Sequence, residues 1–179
     1  MLLLLDNGSI FTRQIADLLH AAGAIFRRVS PAELGPDDAA RFDSYILSGR
    51  RRNDAAVNAF NSRIIRHALS RGKPLLGICY GAEIMALTLG GTIRRTGARR
   101  GYGSVRVHGD NPLCGGEVTV FESHSFEIAR LAGPVVGLAS SSACEHEMIH
   151  ARGSKMYGTQ FHPEMSDDGR GMIRRFLSV

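Results

Sequence analysis

The first half of this chain alternates short apolar runs with segments of helical periodicity, and that alternation limits the fold most. "LLLLD" (Leu2 to Asp6) is an apolar run of the kind buried on both faces. "FTRQIADLLHAAG" then places Phe11, Ile15, Leu18 and Leu19 on one helical stripe and closes on Gly23. "AIFRRV" reads as a second strand, followed by a polar loop. "SYILSG" (Ser44 to Gly49) reads as a third strand. Asp54 can cap a long helix carrying Val57, Phe60, Ile64, Ile65 and Leu69, which ends at "RGKP". "LLGIC" is the fourth strand, and "GAEIMALTLGG" the helix after it. Strands alternating with helices predict an α/β fold: a doubly wound, mainly parallel sheet flanked by helices on both faces. From Thr92 to Phe161 the segments become short, β-rich and punctuated by Gly, Pro and Asn. Added strands, several antiparallel, are expected there before a final helix "GRGMIRRFLSV". A single domain over residues 1–179 accounts for the whole chain, which is long enough to bury a core without metals or disulfides.

Ligands of open α/β sheets sit beyond the carboxyl ends of the strands. Cys79 stands at such an end. Gly77-Ile78-Cys79-Tyr80-Gly81 has the form Gly-x-nucleophile-x-Gly, a tight strand-to-helix turn in which a Cβ two residues to either side would clash. The helix N-terminus beyond it favours a thiolate, and the N–H of Tyr80 can donate to an oxyanion. A small apolar residue in the core is the usual fate of a free cysteine, so the turn alone does not make Cys79 a nucleophile. A thiol nucleophile needs a base, and the base needs an orienting partner. "YGTQFHPEMS" supplies both. Pro163 pushes His162 towards an extended conformation, in which residues i and i+2 face the same way, so His162 and Glu164 are expected to project together. His162 would hold the thiol proton while Glu164 fixes its tautomer.

The other two cysteines, Cys114 and Cys144, lack this context and are read as structural. Three widely separated cysteines with no Cys-x-x-Cys pair and no His/Cys metal spacing predict reduced thiols in a cytoplasm, and no metal site. The apolar start stops at Asp6, too soon for a signal peptide or a membrane span. A net charge of +5 gathers in "GRRRN" (Gly49 to Asn53) and "IRRTGARRGYG" (Ile93 to Gly103). Solvated arginines, or a docking surface for an acidic protein or phosphorylated ligand, account for these. No aromatic stacking pattern or helix-turn-helix accompanies them, which places nucleic acid behind both readings.

An elbow cysteine followed far downstream by His-Pro-Glu resembles the class I glutamine amidotransferases. The likeness runs through "LLDNGSIFT", "YILSG", "LLGICYG", "ESHSFEI" and "GTQFHPE", in order and over nearly the whole chain. It implies a flavodoxin-like fold and a Cys-His-Glu triad of Cys79, His162 and Glu164. It implies hydrolysis of L-glutamine through a γ-glutamyl thioester, with ammonia passed to a synthetase domain or subunit. It also implies an oxyanion loop at Gly49 and the N–H of Arg50, with Tyr80 giving the second donor. Ser123, Ser125 and Phe126 would hold the amino-acid end of glutamine. No cofactor is implied in this chain. "ILSG", "SHSFEI" and "QFHPE" are most similar to the detached glutaminase subunits of GMP synthetases, whereas "DNGSIFT" is also similar to the glutaminase components of anthranilate and aminodeoxychorismate synthases. Two positions depart from the family pattern. The oxyanion loop, usually Ser-Gly-Gly-Pro, is Ser48-Gly49-Arg50-Arg51 here. The glutamine usual four residues after the nucleophile is Glu83, whose carboxyl suits an α-ammonium and opposes an α-carboxylate. These departures keep open a stand-alone γ-glutamyl hydrolase and a regulatory module whose chemistry has decayed.

Overall fold

A computed structural model describes residues 1–179, the side chain of Pro36 apart. Nine strands form one sheet in the order β2-β1-β3-β4-β9-β8-β7-β5-β6. Its parallel half is built from β1 (Leu2–Leu5), β2 (Phe26–Val29), β3 (Ser44–Leu47), β4 (Leu75–Ile78) and β9 (Met156–Thr159). Each of the first four coincides with a strand picked out by sequence. Leu3 and Leu5 of β1 point to one face and Leu2 and Leu4 to the other, so both faces need cover. Helices α3 (Ala55–Arg71) and α4 (Tyr80–Thr88) cover the first face through Ile64, Ile65 and Met85. Helices α1 (Thr12–Ala21) and α5 (Asp167–Phe176) cover the second through Ile15, Leu19, Met172 and Phe176. This is the doubly wound arrangement expected. A short helix α2 (Pro36–Ala39) lies in the polar connection before β3.

The antiparallel half comprises β5 (Thr92–Val107), β6 (Glu117–Arg130), β7 (Val135–Ser140) and β8 (Met148–Ala151). Strands β5 and β6 are far longer than the short segments expected there, because the hairpin extends well past the sheet. It curls back over the carboxyl ends of the parallel strands. There the Phe121 carbonyl accepts the His162 amide at 2.7 Å, and the Ile128 amide donates to the Gln160 side chain at 3.1 Å. The β5–β6 ladder slips between Arg95 and Arg99, which pair with Phe126 and His124. Ser125, between those two, has no partner in register.

The helix ends follow their local chemistry. Asp54 accepts from the amides of Ala56 and Val57 at 2.8 and 3.0 Å, and Gly72 closes α3 in the left-handed region at φ 62°. The last helix begins at Asp167, earlier than its apolar pattern suggests, because Ser166 accepts the Gly169 amide and so caps it. None of the described helices is long and apolar enough to cross a membrane. Replacing Asp54 with Ala removes the cap of α3 and is expected to cost about 1 kcal/mol. The check is a lower urea midpoint at unchanged slope.

Candidate active site

The turn at Cys79 exists because three backbones meet almost without space. A Cβ on Gly77 would lie 2.5 Å from the Gly81 carbonyl group, and one on Gly81 would lie 2.3 Å from the Leu47 carbonyl oxygen. Real Cβ atoms do not approach backbone so closely, so only glycine fits at either place. Cys79, between them, has φ 52° and ψ −106°, and among the described residues it is the one non-glycine with positive φ. Such strain persists where its surroundings fix it. Here the Cys79 amide is held by the Thr159 carbonyl at 2.7 Å, while its own carbonyl accepts the amides of Ala82 and Glu83 at 3.0 Å.

The base-and-orienter pair forms, by a route other than the one expected. Only His162 is extended. Pro163–Met165 is a single 3₁₀ turn, and it swings Glu164 beneath the imidazole rather than alongside it on a strand. The contact survives that change: His162 Nδ1 lies 2.8 Å from Glu164 Oε1, and both side chains are buried. His162 packs edge-on against Phe11, ring centres 4.7 Å apart, and a Cβ on Gly49 would stand 3.1 Å from its Cε1. The ring is thus walled in, with the carboxylate oxygen on Nδ1 leaving Nε2 as the nitrogen free for chemistry.

Arg50, Tyr80, Glu83, Ser123, Ser125 and Phe126 all line one cleft of about 210 Å³ with Cys79. His162, Glu164 and Gly49 stand outside that lining, on the buried side. The departure at Arg50 has a structural answer. Its guanidinium lies 4.0 Å from the centre of the Tyr80 ring and donates to Asn53 and Asn58 at 2.7 and 2.8 Å. The Tyr80 hydroxyl donates to the same Asn58 oxygen at 2.8 Å. Arg50 therefore ties the residue beyond Gly49 to the residue beyond Cys79, and to the first turns of α3. On the other side, Asn7 donates its amide to Ser48 Oγ at 2.9 Å and pairs with Asn61. Sequence reasoning did not find Asn53, Asn58, Asn7 or Asn61. Only their polar character at helix and strand ends marked them.

Glu83 is buried and has a single hydrogen-bond donor. Gln160 Nε2 reaches Oε1 at 3.1 Å, and the Ile128 amide on the Gln160 carbonyl fixes which way that side chain faces. Burial raises the Glu83 carboxyl above its ordinary range, although the Gln160 bond pulls the other way. Gln160 sits two residues before His162 in the "QFHPE" string, and sequence reasoning passed over it as well. The thiol departs from expectation. The Tyr80 N–H does favour the thiolate, but burial first, then the charges of Glu83 and Glu164, push the Cys79 thiol well above its ordinary value. A helix terminus acts through one turn of dipoles, whereas burial penalises the charge directly, so the balance at Cys79 favours the protonated sulfur.

A strained cysteine at a strand–helix turn, backed by a buried His–Glu pair on a doubly wound sheet, defines a cysteine-nucleophile amide hydrolase of the α/β type. The class I glutamine amidotransferase profile matches residues 3–178, and the chain belongs to that family. A glutamine-hydrolysing GMP synthase subunit of Thermoplasma acidophilum is 29% identical over 97% of this chain and 90% of its own length. The glutamine-hydrolysing GMP synthase of Hydrogenovibrio crunogenus is 31% identical over 98% of this chain. The chain spans only 36% of that longer relative. A crystal structure described as that of a GMP synthase subunit from T. acidophilum superimposes with a TM-score of 0.87 at 26% identity, over 99% of this chain and 92% of that one.

The raised thiol has a direct readout. Alkylation of Cys79 by iodoacetamide is expected to be slower at pH 7 than that of an unstructured thiol and to keep rising to pH 9 without levelling off. Glu83→Gln, which removes one of the charges opposing the thiolate, should speed it. A plateau below pH 7 would show instead that the helix terminus outweighs burial.

Proposed function

We propose that the chain hydrolyses the side-chain amide of L-glutamine and delivers the ammonia to a separate synthetase. The observation that carries this reading is the buried His162–Glu164 contact of 2.8 Å beside the strained Cys79 elbow. Glutamine enters the cleft with its amide at Cys79 and its amino-acid end towards Ser123, Ser125, Phe126 and Glu83. His162 Nε2 takes the thiol proton as Sγ attacks the amide carbon, and Glu164 carries the resulting imidazolium. The oxyanion is met by the amide of Tyr80 and by the Gly49–Arg50 backbone. His162 then gives its proton to the departing nitrogen, so ammonia leaves and a γ-glutamyl thioester remains. Water, deprotonated by the same imidazole, attacks that thioester. Glutamate leaves, and the thiol recovers its proton. A thiol neutral at rest costs the first step the proton transfer, which this pair is built to carry.

The synthetase is proposed to be that of GMP synthesis, on the strength of the Thermoplasma relative whose length this chain nearly matches. The cleft mouth bears Arg51 and Arg52, exposed on the oxyanion loop, where an acidic surface could settle. Free Cys79, Cys114 and Cys144 fit a reducing cytoplasm. Glu83 favours a second reading, a γ-glutamyl hydrolase that turns over without any partner.

Ammonia release from L-glutamine by the purified chain, alone and with the synthetase component of a GMP synthetase plus its nucleotides, is the deciding measurement. Cys79→Ser is expected to abolish release, and His162→Ala to lower kcat by about 10³-fold or more, as loss of a triad base does. Release that rises severalfold with that component supports the amidotransferase reading. Full turnover without it, indifferent to its addition, favours the hydrolase. No release under either condition would return the chain to the decayed module.

A further inference from the structure

We propose that His124 is a positioning residue of the glutamine site, clamping the substrate-facing turn of β6 from its buried side with both ring nitrogens protonated. This rests on the glutamine reading of the cleft.

Along β6 the even residues Val120, Glu122 and His124 are buried and Phe121, Ser123 and Ser125 are partly exposed, and the segment Ser123 to Phe126 lines the cleft with the His124 ring all but hidden. At Ser125 the β5 ladder slips and leaves that residue without a partner in register, so its backbone groups are available to a ligand. A strand released from its ladder in this way needs another restraint to hold its shape. His124 supplies one. Its Nδ1 lies 2.8 Å from the Phe126 carbonyl, spanning Ser125. A carbonyl oxygen only accepts, so Nδ1 must carry a hydrogen.

The other nitrogen settles the charge. Nε2 faces Glu122 Oε2 at 3.3 Å, and that contact also requires a proton between the two atoms. The His124 contact, ahead of burial, holds the Glu122 carboxyl below its ordinary range. The surrounding groups fit a cation there. Arg99 approaches Glu122 at 4.0 Å and Glu127 at 3.6 Å, and Arg94 takes the other Glu127 oxygen. Glu147 stands on the far side of Glu122, bonded to Ser141 at 2.7 Å, with burial pushing its carboxyl up to about 7. Glu83, from α4, lines the same cleft; burial raises its carboxyl, and Gln160, Arg50 and His124 pull the other way. His124 thus joins the restraint on the strand to the charge balance beneath the substrate.

The test compares wild type, His124→Ala, His124→Asn and Glu122→Gln. Asparagine can place its Nδ2–H near the position of the imidazole Nδ1–H, keeping the bond to Phe126 while losing the charge. The first readout is labelling of Cys79 by the glutamine-shaped 6-diazo-5-oxo-L-norleucine against labelling by iodoacetamide. His124→Ala is expected to slow the former by about 10–100-fold, the scale of a misplaced substrate contact, and to leave the latter within about twofold. His124→Asn should recover most of the loss. The second is ¹⁵N NMR of the His124 ring at pH 7, which should show both nitrogens protonated in wild type and the Nδ1–H tautomer in Glu122→Gln. Equal losses for both reagents, an asparagine variant no better than alanine, or a neutral ring in wild type would each overturn the clamp. Wild type that accepts iodoacetamide and refuses the glutamine analogue would instead defeat the glutamine reading, and the NMR result would still decide the clamp.

Discussion

The geometry of this protein depends on how closely α4 can approach the sheet. Gly77 and Gly81 touch each other and the end of β3 at distances that no side chain could occupy. The contact starts a helix directly on a strand end, with no loop between them. It forces Cys79 into a conformation that a side-chain-bearing residue seldom takes, and the sulfur is thereby fixed at the carboxyl edge of the parallel strands. The hairpin β5–β6 curls over the same edge and brings Ser123, Ser125 and Phe126 to the cleft, while Gln160 and His162 arrive from the end of β9. Every group of the proposed chemistry is placed relative to that one packing contact.

The second organising force is burial of polar groups in matched sets. His162 is satisfied by Glu164, Glu83 by Gln160, and Glu122 by His124, with Arg99 at 4.0 Å as a looser ion pair. In a low-dielectric interior each such pair orients its members strongly, because an unmatched polar atom is costly there. Glu147 and Glu127 each keep one oxygen without a partner, so the cluster under the cleft is incompletely neutralised. That imbalance lies beside the proposed substrate site, although His67 on α3 also keeps a ring nitrogen without a partner. Stability is conceded where charge has a use.

Much of the fold was legible in sequence because local physics and global packing agree there. The four strands read from the first half became β1 to β4, and α3 began and ended at Asp54 and Gly72, residues suited to caps. The elbow was legible because steric exclusion writes itself as glycines at fixed spacing. The His162–Glu164 pair was found for an incomplete reason: the extended geometry expected of both residues holds for His162 alone, and a 3₁₀ turn makes the contact. The long hairpin, the Arg50–Tyr80–Asn58 network and the Gln160 bond to Glu83 were not legible. Each joins residues far apart in the chain through side chains whose types are common on any surface. The pull of burial on Cys79 was not legible on the same account, since a helix terminus is visible in a sequence and desolvation is not.

The neutral state of that sulfur bears on durability as much as on rate. Peroxide and other soft oxidants attack the thiolate, and a nucleophile that is permanently ionised proceeds to sulfenic and sulfinic acids whenever substrate is scarce. Burial disfavours the anion at Cys79, so in the proposed mechanism it arises as His162 removes the proton, and an idle molecule would offer oxidants a thiol. The burial that slows the opening step also preserves the reagent between turnovers.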